Sequence, residues 1–172
     1  MQEFVQNSAK SDYSWSRLSR RGLARGEISA GIESEELPPI HVILDVSGSI
    51  SDDDIGKFNS ELNNILDQWE TTLKVVYFDT QVQNRNNQFD EFSRDNYPVK
   101  LKTTGGGGTD FRVPFAWLGQ HEYEPITCVV FITDGECYSY PKAPPYPVLW
   151  IGTGKEFKPP FGQLVLMNPP RI

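Results

Sequence analysis

Three short runs of apolar, largely β-branched residues each close on an aspartate. They are IHVILD ending at Asp45, TLKVVYFD ending at Asp79 and TCVVFITD ending at Asp134. Runs this short, with little polar alternation, suit strands covered on both faces, and such strands belong to parallel sheets packed between helices. The segments between them read accordingly. Ser51 has Asp54 three residues on, in capping-box spacing, and Asp52 and Asp53 fall in the first helical turn, where the helix dipole favours negative charge. Ile55, Phe58, Leu62, Ile65, Leu66 and Trp69 then recur at helical spacing as one apolar stripe.

Beyond Asp79 the chain from Gln81 to Asn96 is polar and asparagine-rich, as expected of a hairpin with an edge strand; PVKLKTT either extends that edge or leads back to the sheet. GGGGTDFRVPFAWLG turns through a glycine run into a second helix, with Phe111, Phe115 and Leu118 on one side and Pro114 in its first turn. YPVLWIGTG and QLVLMN supply two further strands. This alternation predicts an α/β fold: a mainly parallel sheet with one antiparallel edge strand, flanked by helices. Residues 39–172 form that domain. Residues 1–38 have no clean period and read as an arm or linker, with Tyr13, Trp15 and Leu18 as anchors and disorder at the extreme N-terminus.

Open α/β sheets place ligand sites at the carboxyl ends of their strands. The topology therefore gathers Asp45, Ser47, Ser49, Thr109 and Asp134 at one edge. Two carboxylates and three hydroxyls are all oxygen donors, which suits a hard divalent cation. Magnesium, the first expectation, takes octahedral oxygen ligands and usually retains water; manganese or calcium would also accept the set. Hydroxyls leave such an ion incompletely neutralised, so a carboxylate from outside could complete its shell. Asp79 and Asp110 are candidates for orienting these donors, Asp110 equally for capping the second helix, and Glu136 reads as an exposed loop acid.

Composition narrows the partners. A net charge of −7, with the basic residues Arg17, Arg20, Arg21 and Arg25 confined to the arm, argues against nucleic acid. No stretch approaches a membrane span, and the N-terminus lacks the apolar core of a signal peptide, so the expected setting is cytoplasmic. Cys128 and Cys137 fit no zinc spacing, and Cys128 reads as a small core residue.

The ordered set DVSGS, GGGGTD and TDGE resembles the metal-ion-dependent adhesion site of von Willebrand factor A domains. The resemblance implies Ser47, Ser49 and Thr109 as direct ligands, with Asp45 and Asp134 binding directly or through water. Together with YSWSRLSRRGLARG, EELPPIHVILDVSGSIS, GGGGTDFR, PPYPVLW and PPFG, the chain from about Tyr13 onward is similar to the VWA-like domain of a bacterial and phage family of predicted metallopeptidase-related proteins. That family carries a zinc-peptidase-like region ahead of this domain, and MoxR-type AAA+ ATPases are its frequent genomic companions. No His-Glu-x-x-His is present here; HEYE at His121 lacks the second histidine.

The residues leave other readings open. The polar loops could simply cap helices and turns, giving a metal-free scaffold. A strand ending in aspartate invites comparison with aspartyl-phosphate enzymes, and so a magnesium-dependent hydrolase or phosphotransferase. Their Asp-x-Asp signature is broken here by Ser47, and neither His41, inside a strand, nor His121 is evidently paired with a serine nucleophile. The glycine run lacks the Lys-Ser/Thr of a phosphate-binding loop. The sequence therefore favours a metal-dependent protein-interaction module without a catalytic residue, accepting an Asp or Glu of a partner.

Overall fold

A computed structural model of the chain describes residues 3–5, 7–8, 37–101, 105–153 and 157–167. Six strands form one sheet: β1 (Ile40–Asp45), β2 (Leu73–Phe78), β3 (Asp90–Phe92), β4 (Val129–Thr133), β5 (Val148–Gly152) and β6 (Gln163–Leu166), in the order β3-β2-β1-β4-β5-β6. Every pairing is parallel except β2 with β3, the antiparallel edge. Two long helices join in, α1 (Asp52–Gln68) and α2 (Arg112–His121). The fold is the doubly covered α/β sandwich that the three strand runs imply.

Strand periodicity assigns the layers. Val42 and Leu44 of β1 point with Val75, Val130 and Leu149 into the core shared with Ile55, Phe58, Leu62, Ile65 and Leu66 of α1. Ile43 points the other way, joining Val76, Phe131 and Trp150 against Phe111, Phe115 and Leu118 of α2. Because side chains alternate along a strand, a fully buried run such as IHVILD serves both cores at once. Full burial of each such side chain contributes about 1.5–3 kcal/mol, so the five α1 anchors alone outweigh the intrinsic helix propensity of a segment carrying three asparagines. The α1 start has the anticipated capping box: the Asp54 amide donates to Ser51 Oγ at 3.2 Å and the Ser51 amide to Asp54 Oδ2 at 3.4 Å. Trp69 is the C-cap residue of α1 and packs, partly buried, against the same core as the rest of the stripe.

One segment departs from expectation. Residues 98–101 are not in a strand; Asn63 and Asn59 of α1 accept the Val99 and Leu101 amides at 2.7 and 2.9 Å, side-chain acceptors in place of strand partners. Near the N-terminus, residues 3–5 and 7–8 are helical, and Val5 is buried in the α1-side core. Burial of one valine and part of Phe4 offsets the ordering cost there. Tyr13, Trp15 and Leu18 lie outside the described residues.

Candidate metal centre

β1 sits between β2 and β4, so the chain leaves it toward one side and returns on the other. The crevice at this reversal is where α/β sheets bind ligands. Register brings Leu44 opposite Ile132, and so Asp45 beside Thr133 and the Asp134 turn.

Asp45 is fully buried and held from two directions. Its Oδ1 accepts the Ser47 amide at 2.9 Å, and its Oδ2 accepts the Thr133 hydroxyl at 2.7 Å. Thr133 in turn accepts the Gly135 amide at 3.1 Å, which ties the Thr-Asp-Gly turn to the end of β1. Gly135 has φ +80°, a left-handed turn conformation in which a side chain would be strained, and a Cβ there would strike Phe157 at 2.3 Å. The Ser47 and Ser49 hydroxyls stand 3.3 Å apart, the first buried and the second exposed. Adjacent ligands around an octahedral magnesium stand about 3 Å apart, so this pair already has the spacing of neighbouring ligands.

The glycine run lies against the β1–α1 loop. A Cβ on Gly105 would meet the Val46 carbonyl at 2.2 Å, and one on Gly48 would meet the Gly106 carbonyl at 3.6 Å. Thr109 is half-buried, its carbonyl accepting the Cys137 thiol at 3.3 Å, three residues beyond Asp134. Asp134 is half-buried too, with Oδ1 accepting the Glu136 amide at 3.0 Å. All five sequence candidates thus belong to loops joined at one pole of the sheet.

Electrostatics set the character of this pole. Burial pushes the Asp45 carboxyl up from its usual value; bonds from Thr133 and Ser47 work against that, and the nearby Asp134 charge adds to it. A buried acid beside a second acid, facing hydroxyls and no basic side chain among its bonded partners, has the chemistry of a cation site, and the residues fit a magnesium-type ion. Among the described residues no group of three His, Cys, Asp or Glu side chains is arranged for a metal.

The flanking acids divide. Asp110 accepts the Arg112 amide at 3.0 Å and both arms of its guanidinium at 2.9 and 2.7 Å, and Arg112 holds its carboxyl below the usual range. It thus orders the start of α2, whose N-cap position, Phe111, has no side-chain acceptor. Glu136 is exposed. Asp79 is buried; burial works to raise its carboxyl, but bonds from Gln81, Gln83, Gly107 and Thr80 bring it below its usual value. Thr133 was not singled out by sequence. Its signal was a hydroxyl on the last residue of β4, adjacent to Asp134 and on the same face as Asp45.

A parallel α/β sheet with its polar centre at the switch point, built from Asp-x-Ser-x-Ser and a Thr-Asp-Gly turn, defines a von Willebrand factor A-like domain. The family profile described as VWA-like domain (DUF2201) matches residues 40–168, and the chain belongs to that family. No curated protein matches it. Among solved structures, an aerotolerance-related membrane protein from Bacteroides fragilis NCTC 9343, with multiple mutations to serines, is similar at 15% identity and a TM-score of 0.44. That match covers 66% of this chain and 66% of the other. No helix among the described residues is long and apolar enough to cross a membrane.

Proposed function

We propose that this domain is a metal-dependent protein-interaction module. Its cation, most simply Mg2+ with Mn2+ or Ca2+ as substitutes, would be held by Asp45, Ser47, Ser49, Thr109 and Asp134. The observation that carries the reading is Asp45: a fully buried carboxylate, oriented by Ser47 and Thr133, beside Asp134 and a hydroxyl pair at ligand spacing. When bound, the ion supplies a positive charge that attracts an acid of the partner. The protein's own residues orient that ion and leave its outer side open, since Ser49 and Gly105 to Gly108 are exposed.

Two surface features suit a protein partner. A depression of about 140 Å³ beside Ser47, walled by Val46, Ile50 and Ile55, gives room for a side chain next to the incoming carboxylate. Tyr138, one residue past Cys137, exposes 99% of its surface, and exposed tyrosines are favoured interface anchors. Catalysis has less support. Both histidines are engaged at the opposite end of the sheet, His41 with Glu122 at 2.6 Å and His121 with the Trp117 carbonyl at 3.0 Å. Neither is available to activate a serine. We extend the proposal to a MoxR-type AAA+ ATPase as partner, to a cytoplasmic setting and to a metallopeptidase-related protein as context, on the motif series alone.

The test is capture of such an ATPase, or of an acidic peptide, by the domain in Mg2+ and in EDTA. Binding should need the ion and vanish in Asp45→Ala. Capture undiminished in EDTA would instead make the domain a metal-free scaffold.

A further inference from the structure

Thr109 lies in a loop with no helix or strand of its own, entered through four glycines. Such a segment has little intrinsic preference for one path. Its path is set from the end of β2. The Gly107 backbone lies against the Asp79 carboxylate, and its amide helps hold that carboxyl below its usual value. A Cβ on Gly107 would stand 3.2 Å from Asp79 Oδ2, so a side chain there would crowd the carboxylate. The Asp79 carbonyl accepts the Asp110 amide at 3.2 Å. Gly107 and Asp110 bracket Thr109, so one residue grips the loop on both sides of it.

The grip is anchored. Asp79 is 6% exposed, and its Oδ1 accepts the Gln81 amide and the Gln83 side-chain amide, each at 2.9 Å. It follows directly on Phe78, the register partner of Asp45 on the neighbouring strand. The clamp is thus fixed to the rigid sheet one strand from the buried acid, and Cys137 closes the loop from the β4 side.

We infer that Asp79 is a positioning residue that sets the cation affinity of the Asp45 centre through Thr109, without touching the ion. This rests on the metal reading above. Fixing the loop in advance removes an ordering cost that ligation by Thr109 would otherwise carry, and groups that orient ligands in this way govern affinity in many metal sites.

The experiment is Mg2+ titration calorimetry on four proteins: wild type, Asp79→Asn, Thr109→Ala and the double variant. Asp79→Asn keeps size and puts an amide NH2 against a backbone N–H donor. Affinity should fall about tenfold in the wild-type background and less than about twofold in the Thr109→Ala background, because the effect passes through Thr109. Gly107→Ala, which crowds Asp79 from the loop side, should weaken binding in the same Thr109-dependent way. Asp45→Ala serves as the reference. If wild type takes up no Mg2+, or Asp45→Ala binds as well as wild type, the metal reading fails and the clamp with it. If binding needs Asp45 but ignores Asp79→Asn, or falls equally in both backgrounds, the clamp alone is overturned.

Discussion

Strand β1 carries a buried ionisable group at each end, on the same face, and the two ends are treated in opposite ways. At the amino end His41 meets Glu122, which also takes Lys74 Nζ at 2.9 Å; Glu124 adds a second contact to Lys74 at 3.3 Å. At the carboxyl end Asp45 meets hydroxyls, an amide and the field of Asp134. Burial works to raise both carboxyls. At Glu122 the bonds from His41 and Lys74 more than offset it, bringing the group down to about 2. At Asp45 nothing positive offsets it, and the carboxyl is raised. One pole is neutralised by the chain itself; at the other, no basic side chain is among the bonded partners of Asp45.

The largest effect that tests this contrast is at the closed pole. Glu122→Ala leaves His41 without its acceptor and Lys74 with only the exposed Glu124, and should cost about 1–3 kcal/mol by urea denaturation, with Mg2+ affinity unchanged in the fraction that folds. A loss under about 1 kcal/mol would mean the network is a solvated surface cluster.

Next is the pH dependence. Burial lowers His41 from its usual value against the pull of Glu122, so between that lowered value and about 6.5 the unfolded chain binds more protons than the fold. Stability from this group is therefore full above about 6.5 and is lost as pH falls. Glu122, depressed to about 2 from 4.5, has the same sign: its contribution is present above 4.5 and lost toward 2. Asp45 has the opposite sign without metal, since a raised carboxyl makes stability fall as pH rises through its window. Metal-free denaturation curves should steepen toward acid in wild type; in Glu122→Gln the slope below about pH 4.5 should flatten, while the His41 part persists because Glu122 raises that group. A flat wild-type curve between pH 7 and about 4 would contradict the network.

The open pole should respond in reverse. In EDTA, Asp45→Asn removes a buried charge facing another acid and should gain on the order of 1 kcal/mol, about 2–4 °C in melting temperature. In Mg2+ the order should invert, wild type being stabilised by the ion and the variant not. A variant less stable than wild type in EDTA would show that Asp45 is fully compensated within the chain.

The finest distinction lies within one loop. Ser51→Ala should cost about 0.5–1 kcal/mol through the lost α1 cap and leave Mg2+ affinity alone. Ser49→Ala should do the converse: weaker Mg2+ binding by calorimetry at nearly unchanged stability. Equal effects of both on affinity would mean that the loop acts as one unit.

Most of the fold was legible because its signals are local. An unbroken buried run closing on an acid marks β1, the α1 stripe marks its core face, and Ser51 with Asp54 marks where α1 begins. The path of residues 98–101 was not legible, since side-chain acceptors on Asn59 and Asn63, about 40 residues earlier in the chain, decided it. Of the candidate site, the five residues that the structure brings to one pole could be named in order from DVSGS, GGGGTD and TDGE. Their supports could not. Thr133 orients Asp45 from 88 residues away, and Asp79 reaches Gly107 only because the glycine loop folds back over the end of β2.

What the sequence determined by itself was everything set within a few residues: where strands run, where α1 is capped, which oxygens are offered and that no lysine or histidine accompanies them. Tertiary structure alone decided which acid is neutralised. Strand order puts β1 between β2 and β4, and register sets His41 against Lys74 and Asp45 beside Thr133. A charge acquires its meaning from what is packed beside it, and those neighbours lie far along the chain.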